Sequence, residues 1–204
     1  MARKQQRGSV PVTEVVPDAP EFHSPQPDLG AQCLSDLARC FWAKSGDSGS
    51  WLSVVQHLMD AADVAGYLFD AYLSEHHRRL MASVWAGDHT KARTAFVFLA
   101  GIHDVGKVSP QFACQRQDLA QLIRHQGITV MRKTDYSERA FLPHGLVSQF
   151  AFQEENDAGG GVSSRALQWA ILVGVHHGRY PDASAVYVAR QQYRSQEGSR
   201  QDDP

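Results

Sequence analysis

Cysteine is scarce in this sequence. Its three cysteines, Cys33, Cys40 and Cys114, stand apart and form no CxxC pair. This spacing argues against a structural zinc site and against a disulfide framework. Three free thiols are typical of a reducing compartment, so we predict a cytoplasmic protein.

Long apolar runs and an excess of one charge are lacking too. The longest apolar runs fall far short of the roughly 20 residues that cross a bilayer. The basic N-terminal stretch also has no apolar core of a signal peptide, so we predict no membrane partner. The net charge is −2, from 20 basic and 22 acidic residues. A strongly basic composition typical of nucleic-acid binding is therefore absent, although a local basic groove stays compatible with these numbers.

What the sequence does have is helical periodicity. From residue 51 to residue 72, apolar side chains recur at intervals of three and four residues, the spacing of a helix with one buried face. Alternating strand patterns are scarce, so we predict an all-α fold. Helices are predicted at 32–43, 51–72, 75–86, 90–103, 110–125, 144–155 and 163–177.

Composition divides the chain into three parts. Residues 1–30 are rich in proline and polar side chains and predict a mostly disordered arm. Residues 31–185 are predicted to form one domain, for which 204 residues with 43% apolar content are sufficient. Residues 186–204 include the polar run QQYRSQEGSRQDDP and predict a disordered tail.

Histidine is the informative residue type, with ten copies in the chain. Four places put histidine, once with aspartate, where an apolar helix meets a loop. They are His57, His103-Asp104, His144 and His176-His177. Imidazole and carboxylate together are ligands that first-row transition metals prefer over Mg²⁺ or Ca²⁺.

Each position also has a plainer interpretation. His57 alone is more often a core histidine hydrogen-bonded to a carbonyl, and His144 alone is an ordinary helix start. The pairs are harder to explain in that way, because buried ionisable groups need partners. By contrast, His76-His77 is flanked by charged residues in SEHHRRL and predicts a solvated helix face. The four positions together favour a metal site.

Five segments resemble one known family. FWAKS (41–45), WLSVVQHLMDAADVA (51–65), LAGIHDVGKVSPQF (99–112), PHGLVS (143–148) and VGVHHGRYP (173–181) are similar to the HD nuclease domain of the CRISPR-associated nuclease–helicase of type I systems. That domain is a branch of the HD-domain metallohydrolases. The resemblance covers roughly residues 38–181, and the combination of HDVGKVSPQF with HHGRYP makes it specific.

The resemblance implies an HD-domain helical bundle with a metal site between helices. One or two divalent transition metals (Mn, Fe, Co or Ni rather than Mg) are implied as cofactors. The implied substrate is single-stranded DNA, delivered by a helicase module and a CRISPR surveillance complex. One implied ligand set is His57, His103 and Asp104; the other is Asp104, His144, His176 and His177. Asp104 would bridge the two metals, and Lys107 would face the scissile phosphate, which makes these two the catalytic candidates.

The chain departs from the family pattern in two respects. The family has a further metal-binding aspartate well beyond the HHG motif, and its helicase carries a phosphate-binding loop. No GxxxxGK(S/T) loop occurs here, and Asp182 follows His177 too closely to replace the aspartate. We therefore expect a domain fragment or a shortened relative with weak activity.

Candidate DNA contacts and rival functions complete the sequence-based expectations. The basic residues suggested for DNA binding are Lys44, Arg116, Arg124 and Arg179. One rival function is an HD phosphohydrolase that acts on a small nucleotide, because the metals meet a phosphate in either case. Another is a catalytically inactive module that binds a metal or a partner.

Overall fold

A computed structural model of the protein describes residues 34–46, 49–130, 132–133, 142–157, 164–178 and 182–198. The predicted arm at 1–30 lies outside these residues. The helices are α1 (Asp36–Cys40), α2 (Val54–Tyr67), α3 (Glu75–Ala82), α4 (His89–Ile102), α5 (Pro110–Ala113), α6 (Gln117–His125), α7 (His144–Asp157), α8 (Ser164–Gly174) and α9 (Ala183–Gly198). A π-helical turn, Leu68–Tyr72, extends α2, and 3₁₀ turns occur at Ser83–Trp85 and Val105–Lys107. The predicted all-α class is confirmed.

Side-chain caps mark several of the helix starts. Ser53 Oγ accepts a hydrogen bond from the Gln56 amide before α2, and Asp88 does the same for the Lys91 amide before α4. Each cap satisfies an amide that the first turn of a helix leaves without a partner. The start of α2 is thereby fixed next to His57, its fourth residue.

The helices pack as connected pairs. Helix α2 lies against α4, α7 lies against α8, and α4 contacts α8, so that α4 links the two pairs. The 3₁₀ turn at Val105–Lys107 packs closely on α7. Consequently the end of α4 and the start of α7 lie next to each other. Within the described residues, no helix is both long and apolar enough to cross a membrane.

A short hairpin corrects the predicted helix at 32–43. That helix ends at Cys40, and strand β1 (Trp42–Ser45) pairs antiparallel with β2 (Trp51–Ser53). The physical reason is burial: Phe41, Trp42 and Ala43 are all buried, and three consecutive residues cannot share one narrow face of a helix. The hairpin packs this segment onto a core that includes Val54 and Ile123.

The predicted disordered tail is wrong over residues 186–198, which belong to α9. Val186, Ala189 and Tyr193 are spaced three and four residues apart and pack with Leu146 and Phe150 of α7. A single apolar stripe of this kind is enough to hold an otherwise polar helix on a core. The predicted helix at 110–125 is interrupted as well, because α5 ends at Ala113 and α6 starts at Gln117.

Candidate metal centre

The candidate ligands stand at the ends of four helices. His57 lies in the first turn of α2, and His103 and Asp104 directly follow α4. His144 is the first residue of α7, while His176 and His177 follow α8 by one residue. Because α2, α4, α7 and α8 pack against one another, their ends bring these side chains to one point.

Asp104 is the centre of this cluster. Its side chain is only 4% exposed, and its two oxygens face different partners. Oδ2 lies 2.8 Å from His57 Nε2 and 3.3 Å from His103 Nε2. Oδ1 lies 3.1 Å from both His144 Nε2 and His176 Nε2. The carboxylate thus separates two groups of imidazoles.

His177 completes the second group at its solvent side. Its Nε2 lies 2.9 Å from His144 Nε2, and its side chain is exposed. Among the described residues, two groups have ligand atoms all within 4.8 Å of one another. They are Asp104 with His144, His176 and His177, and Asp104 with His57 and His103. The structure therefore brings together every histidine and aspartate of the two predicted ligand sets.

Backbone carbonyls orient two of the imidazoles. His103 Nδ1 lies 2.7 Å from the Ala100 carbonyl, and His176 Nδ1 lies 2.7 Å from the Val173 carbonyl. A carbonyl oxygen only accepts, so each Nδ1 carries the hydrogen and donates it. In the neutral ring Nε2 is then a bare lone pair aimed at Asp104, which is how metal-binding histidines are commonly held.

Two buried atoms without hydrogen-bond partners among the described residues indicate that a cation fits in the cluster. Asp104 Oδ1 and His176 Nε2 lie 3.1 Å apart, yet neither has a hydrogen-bond partner in the described part of the chain. A lone pair facing a carboxylate oxygen in a buried place is unfavourable unless a proton or a metal ion lies between them. Three imidazoles and one carboxylate suit a transition metal ion, so the residues fit such a group.

Most of the pKa shifts in the cluster favour the deprotonated side chains that a metal ion needs as ligands. Burial raises the pKa of Asp104, but the neighbouring side chains of His103, His144, His176 and Lys107 outweigh burial and hold the pKa well below its usual value. Burial lowers the pKa of His57, and slight burial together with the neighbouring His176 and His144 lowers the pKa of His177. Both shifts favour the neutral imidazole, which is the form that binds a metal. The hydrogen bond to Asp104 raises the pKa of His103, so there a proton competes with a metal ion.

Lys107 belongs to the same cluster but does not face solvent. Lys107 is only 5% exposed, and its Nζ lies 2.6 Å from Asp104 Oδ2. The same Nζ donates to the Ala43 carbonyl at 3.2 Å. That Lys107 contacts a phosphate stays a prediction, as do the catalytic and metal-binding roles of the other residues.

The structure gives partners to two of the four candidate DNA contacts. Arg116 pairs with Asp118 at 2.6 Å, and Arg124 Nε donates to the Val130 carbonyl at 2.7 Å. Lys44 is exposed on β1, and Arg179 lies outside the described residues. DNA binding by these four residues stays a prediction.

Close backbone packing at Gly106 was not part of the sequence-based prediction. The Gly106 amide donates to Ser148 Oγ at 2.8 Å, and Ser148 is fully buried in α7. A Cβ at Gly106 would collide with the His144 carbonyl and would lie 2.6 Å from the Ser148 amide. The glycine between HD and Lys107 was the available signal, because a glycine often marks a close approach of two backbones.

Comparison with known sequences decides the family. The profile of the family described as "Cas3, HD domain" matches residues 42–203, most of the chain. The chain belongs to the Cas3 HD-domain family. This confirms the family predicted from the motifs, and the match includes α9 as well as all the candidate ligands.

Relatives of this Cas3 HD domain are much longer proteins. The "CRISPR-associated nuclease/helicase Cas3" of Streptococcus thermophilus is 26% identical over 157 residues, which cover 70% of this chain and 16% of that protein. The "CRISPR-associated endonuclease/helicase Cas3" of Thermus thermophilus is 24% identical over 164 residues, which cover 80% and 17%. The chain thus spans about a sixth of the length of the curated relatives it matches.

A solved structure supports the same fold for the Cas3 HD domain. The structure titled "Crystal structure of CRISPR-associated protein" is similar with a TM-score of 0.62 and 28% sequence identity. The alignment covers 73% of this chain and 16% of that one.

Asp182 caps a helix in the part of the chain that the structure describes. Its Oδ1 accepts hydrogen bonds from Ser184 Oγ at 2.5 Å and from the Ala185 amide at 2.8 Å, so it caps α9. Within the described residues, Asp182 joins neither ligand group. An additional acidic ligand stays a prediction.

Proposed function

We propose that this domain is a metal-dependent nuclease that hydrolyses phosphodiester bonds of single-stranded DNA in CRISPR interference. The observation that carries the proposal is the two-sided contact of Asp104, whose oxygens face two separate groups of imidazoles. The names of the two Cas3 relatives, a nuclease/helicase and an endonuclease/helicase, support a nucleic acid as the substrate.

The chain's own residues have distinct parts in the proposed reaction. Bound divalent ions would supply Lewis acidity, which acidifies water and offsets the negative charge of a phosphodiester. Asp104 is buried, and its lowered pKa favours the charged carboxylate, which would hold cations from both sides. His177 is exposed and marks the side from which DNA would approach. The carbonyls of Ala100 and Val173 keep two rings from rotating away.

We further propose that the cofactor is Mn, Fe, Co or Ni, and that a helicase module and a CRISPR surveillance complex deliver the strand. Five histidines in the ligand groups favour these metals over Mg²⁺, which prefers oxygen ligands. The partners are proposed from the names of the longer Cas3 relatives.

The test is cleavage by metal-stripped protein reloaded with single ions under reducing conditions. We expect circular single-stranded DNA to be cut with Mn²⁺, Co²⁺, Ni²⁺ or Fe²⁺ and to be cut less with Mg²⁺. A parallel panel of small nucleotides should stay intact. Highest activity with Mg²⁺ would contradict the proposed cofactor.

Two other outcomes point to the rival functions. Hydrolysis of a nucleotide without cleavage of DNA would make the protein a small-molecule phosphohydrolase. Metal binding without hydrolysis of either substrate would make it an inactive binding module.

A further inference from the structure

Lys107 is held in place by three groups from different parts of the chain. Its ammonium lies 2.6 Å from Asp104 Oδ2 and 3.2 Å from the carbonyl of Ala43 in β1. It also lies over the ring of Phe112 in α5, 5.4 Å from the centroid. The carbonyl and the ring both attract a cation. The position of Lys107 therefore does not depend on Asp104 alone.

This fixed positive charge contacts only one side of the central carboxylate. Oδ2, the oxygen bonded to Lys107, is the one that faces His57 and His103. Oδ1 faces His144 and His176 and has no contact with Lys107 among the described interactions. A charge-assisted hydrogen bond uses a lone pair of Oδ2, and the ammonium repels any second cation nearby.

We propose that Lys107 makes the two metal positions unequal. By occupying Oδ2 it weakens cation binding by His57, His103 and Asp104, so divalent ions fill the position of Asp104, His144, His176 and His177 first. The number of ligands acts in the same direction. Among the described residues, the group with His57 offers three ligands, whereas the group with His144 offers four. The inference rests on the proposed function only in taking these residues as metal ligands.

The experiment is a calorimetric titration of the metal-stripped full chain with Mn²⁺, which needs no activity. The wild type should show one strong step and a second step that is weak or absent. Lys107→Met keeps a chain of similar length without the charge, and it should strengthen the weak step about tenfold or more. The strong step should change little. Lys91→Met, which removes an exposed lysine of α4, is the matched control and should change neither step.

Two further variants assign the steps and do not depend on the folding of Lys107→Met. His57→Ala should leave the strong step intact, and His177→Ala should weaken it. The proposal is overturned if His57→Ala removes the strong step, if the wild type binds two ions with equal affinity, or if a folded Lys107→Met leaves the weak step unchanged. If the wild type binds no ion at all, the proposed function fails along with it.

Discussion

At the scale of single residues, Asp104 is the most important candidate ligand, because both ligand groups include its carboxylate. We predict that Asp104→Asn lowers Mn²⁺ affinity by more than about a hundredfold, since even residues outside the ligand set commonly cost about 10–100-fold. Cleavage should be lost as well. Calorimetry and the DNA cleavage assay measure the two effects.

The control for this prediction is a histidine outside the cluster. His76 is exposed on α3 and belongs to neither ligand group among the described residues. His76→Ala should bind Mn²⁺ and cut DNA like the wild type. If His76→Ala reduced Mn²⁺ affinity and cleavage as much as Asp104→Asn does, the division of the histidines into ligands and surface residues would be wrong.

Residue identities allowed the ligand set to be predicted, but not the contacts of Lys107. The histidines and Asp104 stand out because ionisable residues at the ends of apolar helices need partners. One of the partners of Lys107 is the backbone carbonyl of Ala43, 64 residues earlier in the chain. Every residue type has such a carbonyl, so the sequence holds no sign of this contact.

At the scale of elements, the approach of the Val105–Lys107 turn to α7 sets the distance between Asp104 and His144. A Cβ at Gly106 would meet backbone atoms of α7, which cannot move aside as a flexible side chain can. We predict that Gly106→Ala lowers the free energy of unfolding by about 1–3 kcal/mol and also weakens metal binding. Denaturant unfolding and Mn²⁺ titration measure these changes.

Gly101→Ala in the last turn of α4 is the matched comparison. A Cβ there would lie 3.4 Å from the Ala62 side chain, an ordinary contact, and alanine favours a helix over glycine by up to about 1 kcal/mol. This variant should unfold no more easily than the wild type. If it were as unstable as Gly106→Ala, the close approach to α7 would not be the cause.

Helices α2, α4, α7 and α8 were predictable from their apolar residues, whereas the two short strands were not. Strands of four and three residues, Trp42–Ser45 and Trp51–Ser53, are too brief to show alternation. Helix α9 did have a signal in Val186, Ala189 and Tyr193. The polar residues around this stripe give the segment the composition of a disordered tail.

At the scale of the whole molecule, a cation between the helix ends should stabilise the fold. An ion that binds only the folded state adds about 2.7 kcal/mol when its concentration is about 100 times Kd. For a domain of this size we therefore predict that Mn²⁺ raises Tm by about 5–10 °C. Differential scanning calorimetry, with a chelator to reverse the effect, measures this rise. Asp104→Asn should show almost none of it, and an equal rise in that variant would place the ion elsewhere.

The order of the ligands along the chain has a consequence for synthesis on the ribosome. His57 comes early, whereas His176 and His177 follow α8, so more than half of the chain separates the first ligand from the last. A nascent chain that stops short of α8 has Asp104 but lacks two of its imidazole neighbours. The group of Asp104, His144, His176 and His177 is therefore complete only after α8 has been synthesised, whereas a product that terminates before His176 has only the group of His57, His103 and Asp104.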